Sequence, residues 1–239
     1  MRKMKKFGNS VKMIAHRGYS AYERENTAAA FIAAGNRSYF GIECDIRITK
    51  DNVFVVCHDA DTARVSPAKH VINDSTYKEL SAINLYDIHT QDTPSHLKIP
   101  TLKEYLAIAR KYRKHSFLEI KPELTNREIE QFFTEITAFG LVDAITIISF
   151  NYSNLLRLRR LSPELRLQYL MGELPETAIE LCKNINAGAD VHYKNLTARD
   201  IARFHKHDIE VNVWTVDDAA VAKKFVRWKV DYITTNILE

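Results

Sequence analysis

The sequence has little sulfur and no long apolar run. Its three cysteines, Cys44, Cys57 and Cys182, are an odd set without metal-ligand spacing, which argues against a disulfide framework and for a reducing, cytoplasmic setting. No stretch approaches the roughly 18 apolar residues of a membrane span, so no stable membrane insertion is expected. The basic start, with Arg2, Lys3, Lys5 and Lys6, is followed by no apolar segment before Asn9, Ser10 and Lys12; it reads as a solvated tail rather than a signal peptide. Those four cations equal the whole formal charge of +4. No interleaving of aromatic and basic residues marks a nucleic-acid face, and the nearly balanced remainder supports at most weak attraction to anionic substrates or membrane surfaces. No repeat, low-complexity tract or linker divides the chain. What is present, 239 residues with 46% hydrophobic and 27% charged content, suits a single domain over 1–239 that buries an ordinary core. The oligomeric state is left open.

Short apolar runs alternate with amphipathic stretches of ten or more residues, the pattern of βα units and a parallel sheet. Strands are predicted at 11–15, 40–48, 53–57, 116–120, 145–149, 165–170, 189–192, 210–215 and 232–234. That is one too many for an eightfold barrel. The polar turn "TKDN" at 49–52 explains the surplus, because it folds 53–57 back as a hairpin partner. The fold class is therefore α/β, a TIM (β/α)8 barrel with a hairpin arm after strand 2. "TLKE" and "TARD" are capping boxes that open helices at Thr101 and Thr197. Asn151 is placed as the cap of "YSNLLRLRRL" and Pro175 in the first turn of "ETAIELCKN". Only "TNILE" follows the last strand, so the eighth helix is absent or lies elsewhere. An insertion at about 59–100 carries one predicted helix, "STYKELSA", and either shapes a substrate pocket or is a surface excursion.

Alternation along a strand puts Glu43, Asp45 and Arg47 of "GIECDIRI" on one face, opposite Ile42, Cys44, Ile46 and Ile48. The apolar face should meet helices, which leaves two carboxylates pointing into the barrel. In "FLEIK" the same parity pairs Glu119 with Lys121. Burying these acids without a cation is costly. Glu43, Asp45 and Glu119 form an all-oxygen set suited to a hard cation such as Ca²⁺ or Mg²⁺. The alternative is a structural ion network with Arg17, Arg47 and Lys121. His16 and Arg17 end the first strand and His58 ends the hairpin, at the carboxyl end of the sheet where α/β enzymes work. Paired histidines can serve as general base and general acid, Arg17 offers a fork for phosphate oxygens and Lys121 a point charge. Gly18 permits a sharp turn.

In order and spacing, "HRG", "ENTAAAF", "IECDIRITKD", "VVCHD" with Arg64 after it, "IPTLKEYL", "LEIK", "ISFN", "VNVWTVDD" and "VDYITTN" resemble the glycerophosphodiester phosphodiesterases over nearly the whole chain. The resemblance implies a TIM-barrel enzyme that hydrolyses glycerophosphodiesters, as a small-molecule substrate, to glycerol 3-phosphate and an alcohol with one divalent cation. It implies Glu43, Asp45 and Glu119 as metal ligands, His16 and His58 as the acid–base pair, Arg17 and Lys121 as the phosphate clamp, and Trp214 as a wall of the glycerol pocket. By parity alone Trp214 is as well a core residue. Departures stand at Arg24 (commonly proline), Asn52 and Tyr232 (commonly glycine) and Asn236 (commonly aspartate); they bear on loop shape and substrate choice. Glu25 has two readings, a partner of the site's side chains or a first-turn acid beside a cap at Asn26. His192, His205 and His207 are read as packing or surface. A lysophospholipase D-type activity, favoured by an apolar groove under the insertion, and a non-catalytic phosphoester-binding barrel are the rival functions.

Overall fold

The computed structural model describes residues 11–239; the basic N-terminal stretch read as a solvated tail lies outside the described residues. In chain order the elements are β1 (Lys12–Ala15), α1 (Ala28–Gly35), β2 (Gly41–Ile48), β3 (Phe54–Val56), α2 (Tyr77–Ala82), α3 (Leu102–Tyr112), β4 (His115–Ile120), α4 (Asn126–Ala138), β5 (Ile145–Ser149), α5 (Tyr152–Leu161), β6 (Arg166–Met171), α6 (Ala178–Asn184), β7 (Gly188–His192), α7 (Ala198–His205), β8 (Val211–Trp214), α8 (Ala219–Arg227) and β9 (Tyr232–Thr235). All strands except β3 run parallel in the order β1-β9-β8-β7-β6-β5-β4-β2, and pairing of β1 with β2 closes the ring. The molecule is a TIM barrel, with β3 folded antiparallel onto the end of β2 as the predicted arm. Among the described residues no helix follows β9.

Strand parity divides the core in two. Cys44, Ile46, Leu118 and Ile120 pack outward with Phe31, Leu106 and Phe132 of the helices. Ile14, Phe117, Ile148, Leu170 and Tyr232 fill the lumen, with Trp214 against them. Tyr232 meets Phe117 edge-on at 5.7 Å between ring centroids, so this position plugs the barrel that glycine would leave open. Its neighbours then need no other filler.

The helices begin as the capping signals require. Thr101, Thr125 and Thr197 each accept a backbone N–H three residues on, and Glu104, Glu128 and Asp200 return the bond. Two starts differ from the sequence reading. Asn151 occupies the cap of α5 but its side-chain oxygen accepts no capping bond, and its amide donates to the Lys121 carbonyl at 3.1 Å. Pro175 precedes α6, whose cap is Thr177. Asn52, in the hairpin turn, sits at φ 60°, a left-handed conformation that asparagine tolerates better than most side chains.

The insertion builds a small core of its own. Val65, Ile72, Leu80, Leu85, Leu97 and Ile99 pack on Val55 of β3, and α2 carries a full capping box at Thr76. It is thus a packed appendage of the hairpin arm, consistent with a length too great for a plain connector.

Tyr105 of α3 is fully buried and its hydroxyl donates to the Ile42 carbonyl at 2.6 Å, fastening α3 to β2. Tyr105→Phe should lower stability by about 1–2 kcal/mol, read from urea denaturation, while leaving the barrel's interior chemistry unchanged. No loss of stability would show that this bond does not help to fasten α3.

Candidate active site

β1 ends at Ala15, and the next residues turn at once. Arg17 has φ 54° and Gly18 φ 79°. A Cβ at Gly18 would lie 2.7 Å from the Ala30 backbone, so only glycine fits there. A left-handed arginine costs on the order of 1–3 kcal/mol, and the site supplies the compensation. The Arg17 backbone N–H donates to Glu43 Oε2 at 2.7 Å, and its guanidinium meets Glu25 at 2.9 Å and Asp45 at 3.3 Å.

β2 and β4 lie in register with Glu43 opposite Phe117 and Asp45 opposite Glu119. Glu43, Asp45 and Glu119 are all buried, and one oxygen from each lies within 4.8 Å of the others. The predicted convergence holds. Lys121 approaches Glu119 at 2.7 Å and Asp45 at 3.4 Å, so the acids take Arg17 and Lys121 as partners. Arg47 takes no part in that network; its guanidinium donates to the His58 carbonyl at 3.0 and 2.8 Å. Asn26 is no helix cap, since α1 is capped by Thr27. At φ 57° it aims its amide at Asp45 Oδ2, 2.7 Å away. Glu25 consequently lies outside the helix and bridges Arg17 to Arg64.

These partners do not satisfy the trio. Burial opposes ionisation of Asp45, but Arg17 and Lys121 outweigh it and hold the pKa at about 2. Glu119 is pushed up to about 7 by burial and by the charge on Asp45. Glu43 is also raised, by burial and then by the two neighbouring carboxyls, and its Oε1 has no hydrogen-bond donor. Three oxygens converging with one orphaned is the donor set of a hard metal ion, and these residues could hold one.

His16 and His58 both border a cavity of about 90 Å³ together with Arg17, Glu43, Glu119 and Lys121. His16 Nδ1 lies 2.8 Å from Asn236 Oδ1. His58 Nδ1 lies 2.7 Å from Asp59 Oδ1, and Arg64 holds the other Asp59 oxygen at 2.6 Å. Burial and the adjacent Arg17 lower the pKa of His16 to about 4; burial also lowers that of His58, against the charge of Asp45. Trp214 forms another wall, edge-on to Phe150 at 5.6 Å, and Phe150 is 44% exposed at the rim. No residue of 60–100 lines the cavity. The insertion reaches the site through Asp59 and Arg64, and meets the loop after β1 where Tyr86 and His89 bond Arg24 and Tyr22.

Some roles here were not legible in the sequence. Asn26, read as a cap, and Asn236, read as a departure from aspartate, act through tertiary contacts to Asp45 and His16. Asp190, buried on β7 at the cavity wall with its pKa raised by burial and then by Glu119, was findable. It is the one acid in "GADVH", between the buried Ala189 and Val191. His192 packs on Trp214 at 5.1 Å, and His205 pairs with Asp231 at the surface.

A model of the family described as the glycerophosphoryl diester phosphodiesterase family matches residues 16–239. The chain is 27% identical to a glycerophosphodiester phosphodiesterase of Bacillus altitudinis, over 95% of this chain and 94% of that one. Among solved structures, a glycerophosphodiester phosphodiesterase from Parabacteroides distasonis shares 29% identity with a TM-score of 0.81, covering 96% of this chain and 94% of that one. One from Thermotoga maritima shares 28% identity at a TM-score of 0.78, covering 96% of each.

His16 also makes stability depend on pH. With its pKa at about 4 when folded and about 6.5 when unfolded, the unfolded chain binds a proton that the folded chain refuses. Stability contributed by neutral His16 is present above about pH 6.5 and is lost as pH falls toward 4. Urea denaturation in chelator at pH 7, 6 and 5 should show this decline, and His16→Gln should flatten it. An equal slope in the variant would contradict the assignment.

Proposed function

Because the chain belongs to the glycerophosphoryl diester phosphodiesterase family, and so is a phosphoric diester hydrolase, we propose that it hydrolyses glycerophosphodiesters to glycerol 3-phosphate and an alcohol. The observation that carries this reading is the convergence of Glu43, Asp45 and Glu119, two cationic side chains and two histidines on one cavity. One divalent cation, Ca²⁺ or Mg²⁺, is proposed on the three carboxylates; the orphaned Glu43 oxygen supports it. When bound, such an ion polarises a phosphoryl oxygen and offsets the charge that develops there.

The chain's own residues do the rest. Arg17 and Lys121 hold phosphate oxygens, their charges sustained by the carboxylates beneath them. Glu25 and Asp45 aim the Arg17 fork, which removes the entropy of searching for the phosphate. One histidine accepts the proton of the attacking hydroxyl, which belongs to water or to the adjacent glycerol. The other delivers a proton to the departing alkoxide. Trp214 and Phe150 supply an apolar wall for the carbon skeleton. Residues 1–239 are taken as one domain, acting on a small molecule. Three buried free cysteines fit a cytoplasmic setting, and no helix among the described residues is long and apolar enough to cross a membrane. A lysophospholipid substrate is less well supported, since the insertion contributes no groove to the cavity.

Glycerophosphocholine turnover should appear with Ca²⁺ or Mg²⁺ and disappear in chelator. His16→Ala should lower kcat by about 10²- to 10⁴-fold with the fold intact, and Glu43→Gln should chiefly raise the metal concentration needed for half-maximal rate. Turnover indifferent to chelator would remove the metal from the reading, whereas a folded, metal-loaded protein without turnover of any phosphodiester would favour a binding barrel.

A further inference from the structure

Behind His16 runs a chain of hydrogen bonds whose direction is set by chemistry. Asp217 follows β8, and its Oδ1 accepts the Asn236 backbone N–H at 2.7 Å and the Thr235 hydroxyl at 2.9 Å. Its Oδ2 accepts the Asn236 side-chain amide at 2.6 Å. A carboxylate only accepts, so the amide cannot be reversed: a flipped Asn236 would bring two acceptor oxygens together at that distance. Asn236 Oδ1 is thereby aimed at His16 Nδ1, 2.8 Å away, with the Ser20 hydroxyl also at 2.8 Å. A carbonyl oxygen also only accepts. Nδ1 must therefore carry hydrogen, and in the neutral ring Nε2 keeps its lone pair. Nε2 is the nitrogen left for the cavity that His16 borders.

We propose that Asn236, oriented by Asp217, is a positioning residue that holds neutral His16 in its Nδ1–H tautomer and so commits Nε2 to accept the proton of the attacking hydroxyl. This rests on the acid–base reading above and divides the roles within it. His58 is backed differently: its Nδ1 faces the carboxylate of Asp59, itself held by Arg64. A carboxylate offsets the charge of an imidazolium and an amide carbonyl does not. His58 is accordingly assigned as the proton donor, with Asp59 and the nearby Asp45 charge favouring the imidazolium against the burial that disfavours it. In the step, the attacking oxygen bonds to phosphorus as its proton passes to His16 Nε2. The bond from phosphorus to the leaving oxygen breaks as that oxygen takes the proton of His58. The pair then resets through solvent, or in a second step with the roles exchanged if a cyclic phosphate forms first.

The tautomer can be read without turnover. In protein labelled with ¹⁵N-histidine, the ring nitrogens of His16 at pH 8 should show a protonated Nδ1 and a bare Nε2. Asn236→Leu should move the proton toward Nε2 and lower kcat by roughly 10- to 10²-fold, with KM and calorimetric Ca²⁺ affinity within about twofold. Asp217→Ala, which frees the amide to turn, should shift both readouts the same way by less. A wild-type His16 carrying its proton on Nε2 overturns the inference even if no variant folds; so does a folded Asn236→Leu enzyme with kcat within twofold of wild type. His16→Ala separates the two layers. If it retains turnover, the acid–base reading fails, whereas loss there beside an unaffected Asn236→Leu rejects only the role of Asn236.

Discussion

Three carboxyl groups share a space that their own charges oppose. At the 4.8 Å spread of Glu43, Asp45 and Glu119, two full charges repel by roughly 3–4 kcal/mol at an effective dielectric near 20. Arg17 and Lys121 favour ionisation of Asp45, while Glu43 and Glu119 are pushed toward their protonated forms. The rest of the upper barrel is arranged about that conflict. Arg17 takes a left-handed backbone to bring both its N–H and its guanidinium to the acids. Asn26 leaves the helix to cap Asp45, and Glu25 and Arg64 steady Arg17 and Asp59 in turn. Such an arrangement is poor for stability and good for binding a cation, the usual bargain of a preorganised site.

The lower barrel shows the opposite economy. Phe117, Ile148, Leu170 and Tyr232 close the lumen with apolar contacts, and on the amino-terminal side of Leu170 the buried Gln168 accepts from Asn212 of β8. A packed floor and a charged mouth are what parallel strands with inward alternation produce when one end must stay dry and the other must meet substrate. The hairpin arm delivers His58 beside that mouth from an antiparallel strand. The insertion steadies the arm through its separate cluster.

The two histidines look alike in sequence, each following the end of a short apolar strand. In the fold one is backed by an amide and the other by a carboxylate. That difference comes from residues 220 positions away in one case and one position away in the other. Sequence reasoning saw Asn236 only as a change from a commoner aspartate and could attach no consequence to it. It likewise took Asn26 for a cap, since an asparagine before an alanine run has that local meaning. The tertiary competitor, Asp45, lies on another strand.

Periodicity and turn chemistry sufficed for the barrel, the arm, the parity of Glu43, Asp45 and Glu119, and the helix starts at Thr101 and Thr197. These depend on neighbours within a few residues, where sterics and local hydrogen bonds act alone. Ring closure alone decided which acids meet across strands, that Arg47 turns to a carbonyl while Arg17 joins the acids, and what stands behind each imidazole. Such choices depend on distances between segments remote in the chain. Electrostatic and hydrogen-bond energies fall steeply with those distances, and a sequence pattern does not contain them.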